Sequence, residues 1–224
     1  MIATLLCSLV ASPSAADGVP IGAPGTTGTL THFEAFVLSG CAPCVRETYL
    51  VATLPVASLK APTFPRSAGI LEGATRSGEI ELSILRAYPA GHTGRQQLAL
   101  RIALSVTAGQ QGQTFLLSAG LVDESDVASL AAAVGEVSQA AGSLKSTADM
   151  SDLEIHTDNV RVGIVRTTAE PLVYIQAWSS VDLPRLPLKQ VWEVPSFYLP
   201  LSELPALERG LDSVRGKIRQ LRAS

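Results

Sequence analysis

The apolar residues of this chain change their spacing twice, and that double change constrains the fold more than any other feature of the sequence. Over Glu79–Leu85 (EIELSIL) polar and apolar residues alternate. Glu79, Glu81 and Ser83 share one face; Ile80, Leu82 and Ile84 share the other. A period of two marks a half-buried strand. Leu98–Val106 and Thr114–Leu121 read as the next strands, with turns at Tyr88–Gly94 and Ala108–Gly112. Strands of this length on short polar turns make an antiparallel meander. The spacing then becomes three-four: Val127, Leu130, Val134 and Val137 form one stripe, with alanines beside it. This predicts an amphipathic helix, capped by Ser125 or Asp123 and closed by Gly142.

The same succession follows again. Leu153–Thr157, Val160–Arg166 and Leu172–Trp178 are strand-like, and Trp192–Leu201 supplies one or two further pieces. Ser202 then opens a second helix along Leu204, Leu207, Leu211, Val214, Ile218 and Leu221, with Pro205 in its first turn, where a missing N–H costs little. The two helix openings superpose at a constant offset, Ser125 on Ser202, Leu130 on Leu207, Val134 on Leu211 and Val137 on Val214. The expectation is an α+β fold of two tandem, pseudo-symmetric β-meander–helix units, 70–147 and 148–224. Each helix is expected to lie on its own sheet, with the two units joined by sheet edges or helix faces.

Ahead of these units the chain divides into three. Residues 1–16 look like a signal peptide: Ile2–Ala11 is an uncharged apolar run, and Ser14-Ala15-Ala16 fits a small-x-small cleavage site before Asp17. The run is too short to span a bilayer, which needs about 20 residues. Residues 17–31, rich in Gly, Pro and Thr, read as a flexible arm. Residues 32–69 read as a β-hairpin and a connection, with His32–Leu38 and Thr48–Val56 as the strands and Cys41 and Cys44 near the tip. A secreted or periplasmic location follows, and an oxidising compartment would tend to pair the two cysteines.

Composition removes several function classes. With 46% hydrophobic and 17% charged residues the chain is no disordered polymer. A net charge of −3 lacks the basic face that nucleic-acid binders carry, so no nucleic acid is favoured as a partner. The basic stretch Arg209–Arg222 falls at the end of the second helix, where cations suit the helix dipole and solvate the outer face. There is no phosphate-binding glycine loop and no nucleophile elbow. His32, His92 and His156 are scattered, so neither metal nor cofactor is implied. Glu79 and Glu81 share a strand face, the ordinary arrangement of solvated acids.

Two groups of candidate site residues remain. Cys41-Ala42-Pro43-Cys44 resembles the active-site dithiol of thioredoxin-like oxidoreductases, in which a helix starting at the first cysteine lowers its pKa. The stretch after it, with Thr48, Tyr49 and Val51, favours a strand over that helix. A structural disulfide, a catalytic dithiol and a reduced or metal-linked pair all stay open. The second group is Tyr174, Trp178, Trp192 and Tyr198, a possible aromatic binding surface. Tyr174 and Trp178 share strand parity, as do Trp192 and Tyr198.

Antiparallel strands followed by a helix, run twice, look like the Whirly and transcription-coactivator single-strand binders. The resemblance is one of topology and implies a similar fold; those proteins bind nucleic acid through basic and aromatic surfaces, and this chain is acidic. The function expected from the sequence is an exported, non-enzymatic binding or assembly protein. Its partner is an unidentified protein or small ligand, and a homodimer through a helix or sheet edge is possible. Thiol–disulfide exchange through Cys41 and Cys44 is the alternative, and Whirly-like single-strand binding the second. The sequence leaves open whether the two units share one core.

Overall fold

A computed structural model describes residues 30–56, 77–108, 113–143, 152–157, 159–166, 171–177 and 196–224. Residues 1–29, the connection 57–69, the loop Asp182–Lys189, and both Trp178 and Trp192 lie outside the described residues.

Eight strands form two antiparallel sheets in simple chain order. The first holds β1 (Cys44–Val56), β2 (Ser77–Pro89), β3 (Gln97–Ala108) and β4 (Gln113–Asp123). The second holds β5 (Asp152–His156), β6 (Val160–Arg166), β7 (Pro171–Ala177) and β8 (Ser196–Pro200). Each sheet is followed by a short 3-10 turn and then a helix. Glu124–Asp126 leads into α2 (Val127–Ser143), and Leu201–Glu203 leads into α3 (Leu204–Ala223). The fold is thus α+β. The register matches the alternation read from sequence: Leu54, Ile80, Leu104 and Ser118 stand opposite one another across β1–β4. Gly91, at φ 81°, makes the bend after β2, a backbone conformation that L side chains resist.

One core joins both sheets and both helices. It includes Ile80, Leu82 and Ile84 of β2, Val162 and Ile164 of β6, Val173 and Ile175 of β7, Val127, Leu130, Val134 and Val137 of α2, and the whole Leu204–Leu221 stripe of α3. Each fully buried aliphatic side chain stabilises the fold by roughly 1.5–3 kcal/mol. The helices do not sit as expected. α3 lies on β1 and β2 of the first sheet, α2 touches β6 of the second, and the helices pack on each other. Each run therefore contributes its helix to the other run's sheet. Gly210 makes this close approach possible. A Cβ there would stand 2.7 Å from Leu82 Cδ1 and 3.7 Å from Ala52 Cβ.

The hairpin expected between His32–Leu38 and Thr48–Val56 does not form. His32–Ala35 is a helical turn, α1, and Phe36–Gly40 continues it as a π-helix. Thr48–Val56 belongs to β1, whose partner is β2. The aromatic and β-branched residues of 32–38 gave a strand reading, but a capping box overrides it. The Thr31 hydroxyl accepts the Glu34 N–H at 3.1 Å, and the Glu34 carboxylate accepts the Thr31 N–H at 2.9 Å. Ala35 N–H donates to the Thr31 carbonyl at 2.9 Å.

The caps read for the long helices are also displaced. The residue before α2 is Asp126, while Asp123 ends β4 and makes no cap bond to its own turn. Its carboxylate instead accepts the N–H groups of His32 at 2.6 Å and Phe33 at 3.0 Å, completing the N-terminus of α1. Glu203, not Ser202, stands at the cap of α3 and makes no side-chain cap bond.

Candidate functional site

The segment Thr31–Gly40 lies as a strap on the face of the first sheet opposite the main core. Phe33 is buried there with Ala87, Ala99 and Leu121, and Phe36, Val37, Cys44 and Leu85 close around them. Part of the face read as solvated is therefore covered, and Ser83 on it is buried. The strap also reaches the second sheet. Glu34, wholly buried, accepts a hydrogen bond from Asn159 Nδ2 at 3.2 Å. Thr157 holds Asn159 in place by closing the turn before β6, with its N–H on the Val160 carbonyl at 2.8 Å.

Cys41 and Cys44 sit where the strap meets β1. Their sulfurs are at disulfide distance, and their Cα atoms are 4.7 Å apart. The loop between them is pinned by Ala90 N–H donating to the Pro43 carbonyl at 2.9 Å. Cys41 is buried, Cys44 half-buried. The surroundings differ from those that activate a thioredoxin-like dithiol. Cys41 follows the last residue of a helical segment, and Cys44 begins a strand. The carbonyl end of a helix disfavours a thiolate, and so does burial.

A second cluster gathers titratable groups where β1 and β2 meet α3. The Glu47 carboxylate accepts the hydroxyls of Tyr49 at 2.6 Å and Tyr88 at 2.8 Å and pairs with Arg86 at 3.3 Å. Arg86 lies 5.2 Å from the Tyr88 ring centre, and Lys217 of α3 lies 5.3 Å from that of Tyr49. Arg86 Nε also donates to Gln96, whose amide donates to the Leu221 carbonyl at 3.3 Å. The Tyr49 and Tyr88 hydrogen bonds, with Arg86 beside them, hold Glu47 below the ordinary 4.5. The same carboxylate holds the Tyr88 phenol above the ordinary 10. Both shifts move away from neutrality, where a general acid or base works best. The cluster reads as a polar clasp between sheet and helix. Sequence reasoning missed it; the only trace was the parity shared by Glu47 and Tyr49.

The basic end of α3 is partly engaged too. Arg222 pairs with Glu124 and donates to the Gln96 carbonyl at 3.2 Å, while Arg215 pairs with Asp212 at 3.2 Å. Glu81 pairs with Arg101 at 3.4 Å, and His32 is 90% exposed at 3.5 Å from Asp123.

Of the four aromatic candidates, the structure brings two together. Glu154, Gly163, Tyr174 and Tyr198 stand in register across β5–β8 on the face opposite the core residues Val162, Ile175 and Phe197. The Tyr174 hydroxyl donates to Glu154. Tyr174 and Tyr198 are half-buried and Glu154 is exposed. Opposed residues on neighbouring strands hold their Cβ atoms about 4.5–5.5 Å apart, so the two rings are in reach of each other. Gly163 leaves the position beside Tyr174 without a side chain.

Among the described residues no three His, Cys, Asp or Glu side chains are grouped as metal ligands, and no helix is long and apolar enough to cross a membrane. Comparison with known protein families and with curated proteins found no match.

Proposed function

We propose that this chain is an exported, non-enzymatic binding or assembly protein that engages its partner through the outer face of the second sheet. The observation that carries the reading is the cross-strand pair Tyr174–Tyr198, bordered by Glu154 and Gly163 on the side away from the core. Paired tyrosines beside a carboxylate offer ring faces for apolar contact and hydroxyls for orientation, the combination that binding surfaces favour. Cys41 and Cys44 at disulfide distance support an oxidising compartment. The repeated sheet–turn–helix order supports reading the chain as two related units that have exchanged helices.

The test places a photo-crosslinking residue at Tyr198 in the native host. A discrete crosslinked species that vanishes in Tyr174→Ala supports the reading. Crosslinks that ignore Tyr174, together with turnover of a model disulfide that Cys41→Ser abolishes, would replace it with thiol–disulfide exchange. The strand and helix order also agrees with the topology behind the single-strand-binder reading. Salt-dependent binding of a single-stranded oligonucleotide by the purified chain would favour that reading instead.

A further inference from the structure

We infer that the Cys41–Cys44 pair is a redox-sensitive fastener for the Phe36–Gly40 end of the strap, so that a dithiol uncovers part of the apolar patch on the outer face of the first sheet. The two ends of the strap are held by different means. Its N-terminal end is fixed by four hydrogen bonds to the Asp123 carboxylate and within the capping box, and by Glu34 to Asn159. None of these involves a cysteine. Its C-terminal end is a five-residue π-helix, a form rarely stable by itself, and it ends in Ser39 and Gly40, both exposed. Phe36 and Val37 pack on the sheet, and the covalent fastening there is Cys41, buried just after the π-helix and bonded to Cys44, the first residue of β1. Cys44 packs in the same cluster as Phe36 and Val37. Opening the bond therefore loosens Phe36–Cys41 and leaves His32–Ala35 docked. The surface uncovered is the part of the Phe33, Ala87, Ala99 and Leu121 cluster that Phe36 and Val37 close over.

The chemistry balances with a dithiol as co-reactant. A thiolate of the dithiol attacks the sulfur of Cys44, the less buried of the two, and Cys41 leaves as a thiolate that takes a proton. The second thiol of the reductant then displaces Cys44. Two electrons and two protons pass to the cysteine pair, and the reductant becomes a disulfide. Closing again removes two electrons and two protons from the cysteine pair, so it needs an external oxidant such as a second disulfide.

The test is hydrogen exchange of the full chain, read by mass spectrometry with and without dithiothreitol, alongside Cys41→Ser/Cys44→Ser. In reduced wild type and in the double variant, exchange over 36–41 rises roughly twentyfold, the scale set by closing so short a loop. Peptides of α3 stay unchanged, and dithiothreitol has no further effect on the double variant. Three results overturn the inference: exchange over 36–41 that ignores the redox state, an equal rise throughout α3 and the sheets, or a native disulfide that dithiothreitol cannot open.

Discussion

Glu34 and Asn159, 125 residues apart in the chain, are hydrogen-bonded at 3.2 Å with both side chains buried. This bond joins the strap on the first sheet to the turn before β6 in the second. Removing one partner of a buried hydrogen bond leaves the other unsatisfied, which costs more than the bond contributes. Glu34→Ala also removes the acceptor of the Thr31 N–H. It should destabilise the protein by about 2–4 kcal/mol in denaturant titration. Glu34→Gln keeps a capping-box residue and an amide oxygen, so it should cost less than half as much. Equal losses would mean that the charge, not the hydrogen bonding, holds the strap.

Asp123 caps a helix 90 residues earlier in the chain instead of the one that follows it. Asp123→Ala should cost about 1–2 kcal/mol and speed amide exchange over His32–Ala35. Exchange in α2 should stay as it was. The reverse pattern, with α2 loosened and α1 protected, would contradict the assignment.

Two glycines inside α3, Gly210 and Gly216, stand in opposite packing environments. Replacing a helical glycine by alanine ordinarily gains about 0.5–1 kcal/mol. At Gly216 nothing lies within 4 Å of the new methyl, so the gain should appear as a higher Tm. At Gly210 the methyl meets Leu82 Cδ1 at 2.7 Å, and Leu82 is wholly buried in the core, so the core must shift to admit it. Gly210→Ala should therefore be destabilising by about 1–3 kcal/mol despite its better propensity. The opposite order of the two variants would show that α3 does not lie against β2 as described.

Glu47 sets a pH dependence at both ends of the scale. Its carboxyl is held below 4.5 by the Tyr49 and Tyr88 hydroxyls first and by Arg86 after them. A carboxyl lowered in the folded state adds stability above its unfolded value, and that contribution is lost as pH falls below 4.5 toward the folded value. Glu47→Gln should flatten this acid limb. Tyr88 is raised above 10, chiefly by Glu47, so its contribution is present below 10 and lost as pH climbs through the folded value. In Glu47→Gln, tyrosinate absorbance should show one phenol ionising at lower pH than in wild type. An unchanged titration would mean that Glu47 and Tyr88 are not bonded in solution.

Periodicity carried most of the fold, because burial on one face leaves a direct mark on residue spacing. Leu204, Leu207, Leu211, Val214, Ile218 and Leu221 are all buried, as are Val127, Leu130, Val134 and Val137. What spacing does not encode is which sheet a helical stripe meets. The close approach at Gly210 permits the pairing seen, and a glycine in a helix has no distinctive pattern. The strap was legible in one respect. Thr31 and Glu34 stand at capping-box spacing, a signal that the β-branched and aromatic composition of 32–38 obscured. Asp123 as its cap is a tertiary fact with no local trace. Of the candidate sites, the cysteine pair could be read from its spacing. The Tyr174–Tyr198 pairing depends on strand order and register, which parity alone does not fix.

The most direct measurement of the proposed role is the intact mass of the protein isolated from its own cells and alkylated without reductant. An exported chain with a closed Cys41–Cys44 bond should lack residues 1–16 and carry no alkyl group on either cysteine. A full-length chain alkylated at Cys41 and Cys44 would contradict the account, placing the protein in a reducing compartment and removing the main support for export.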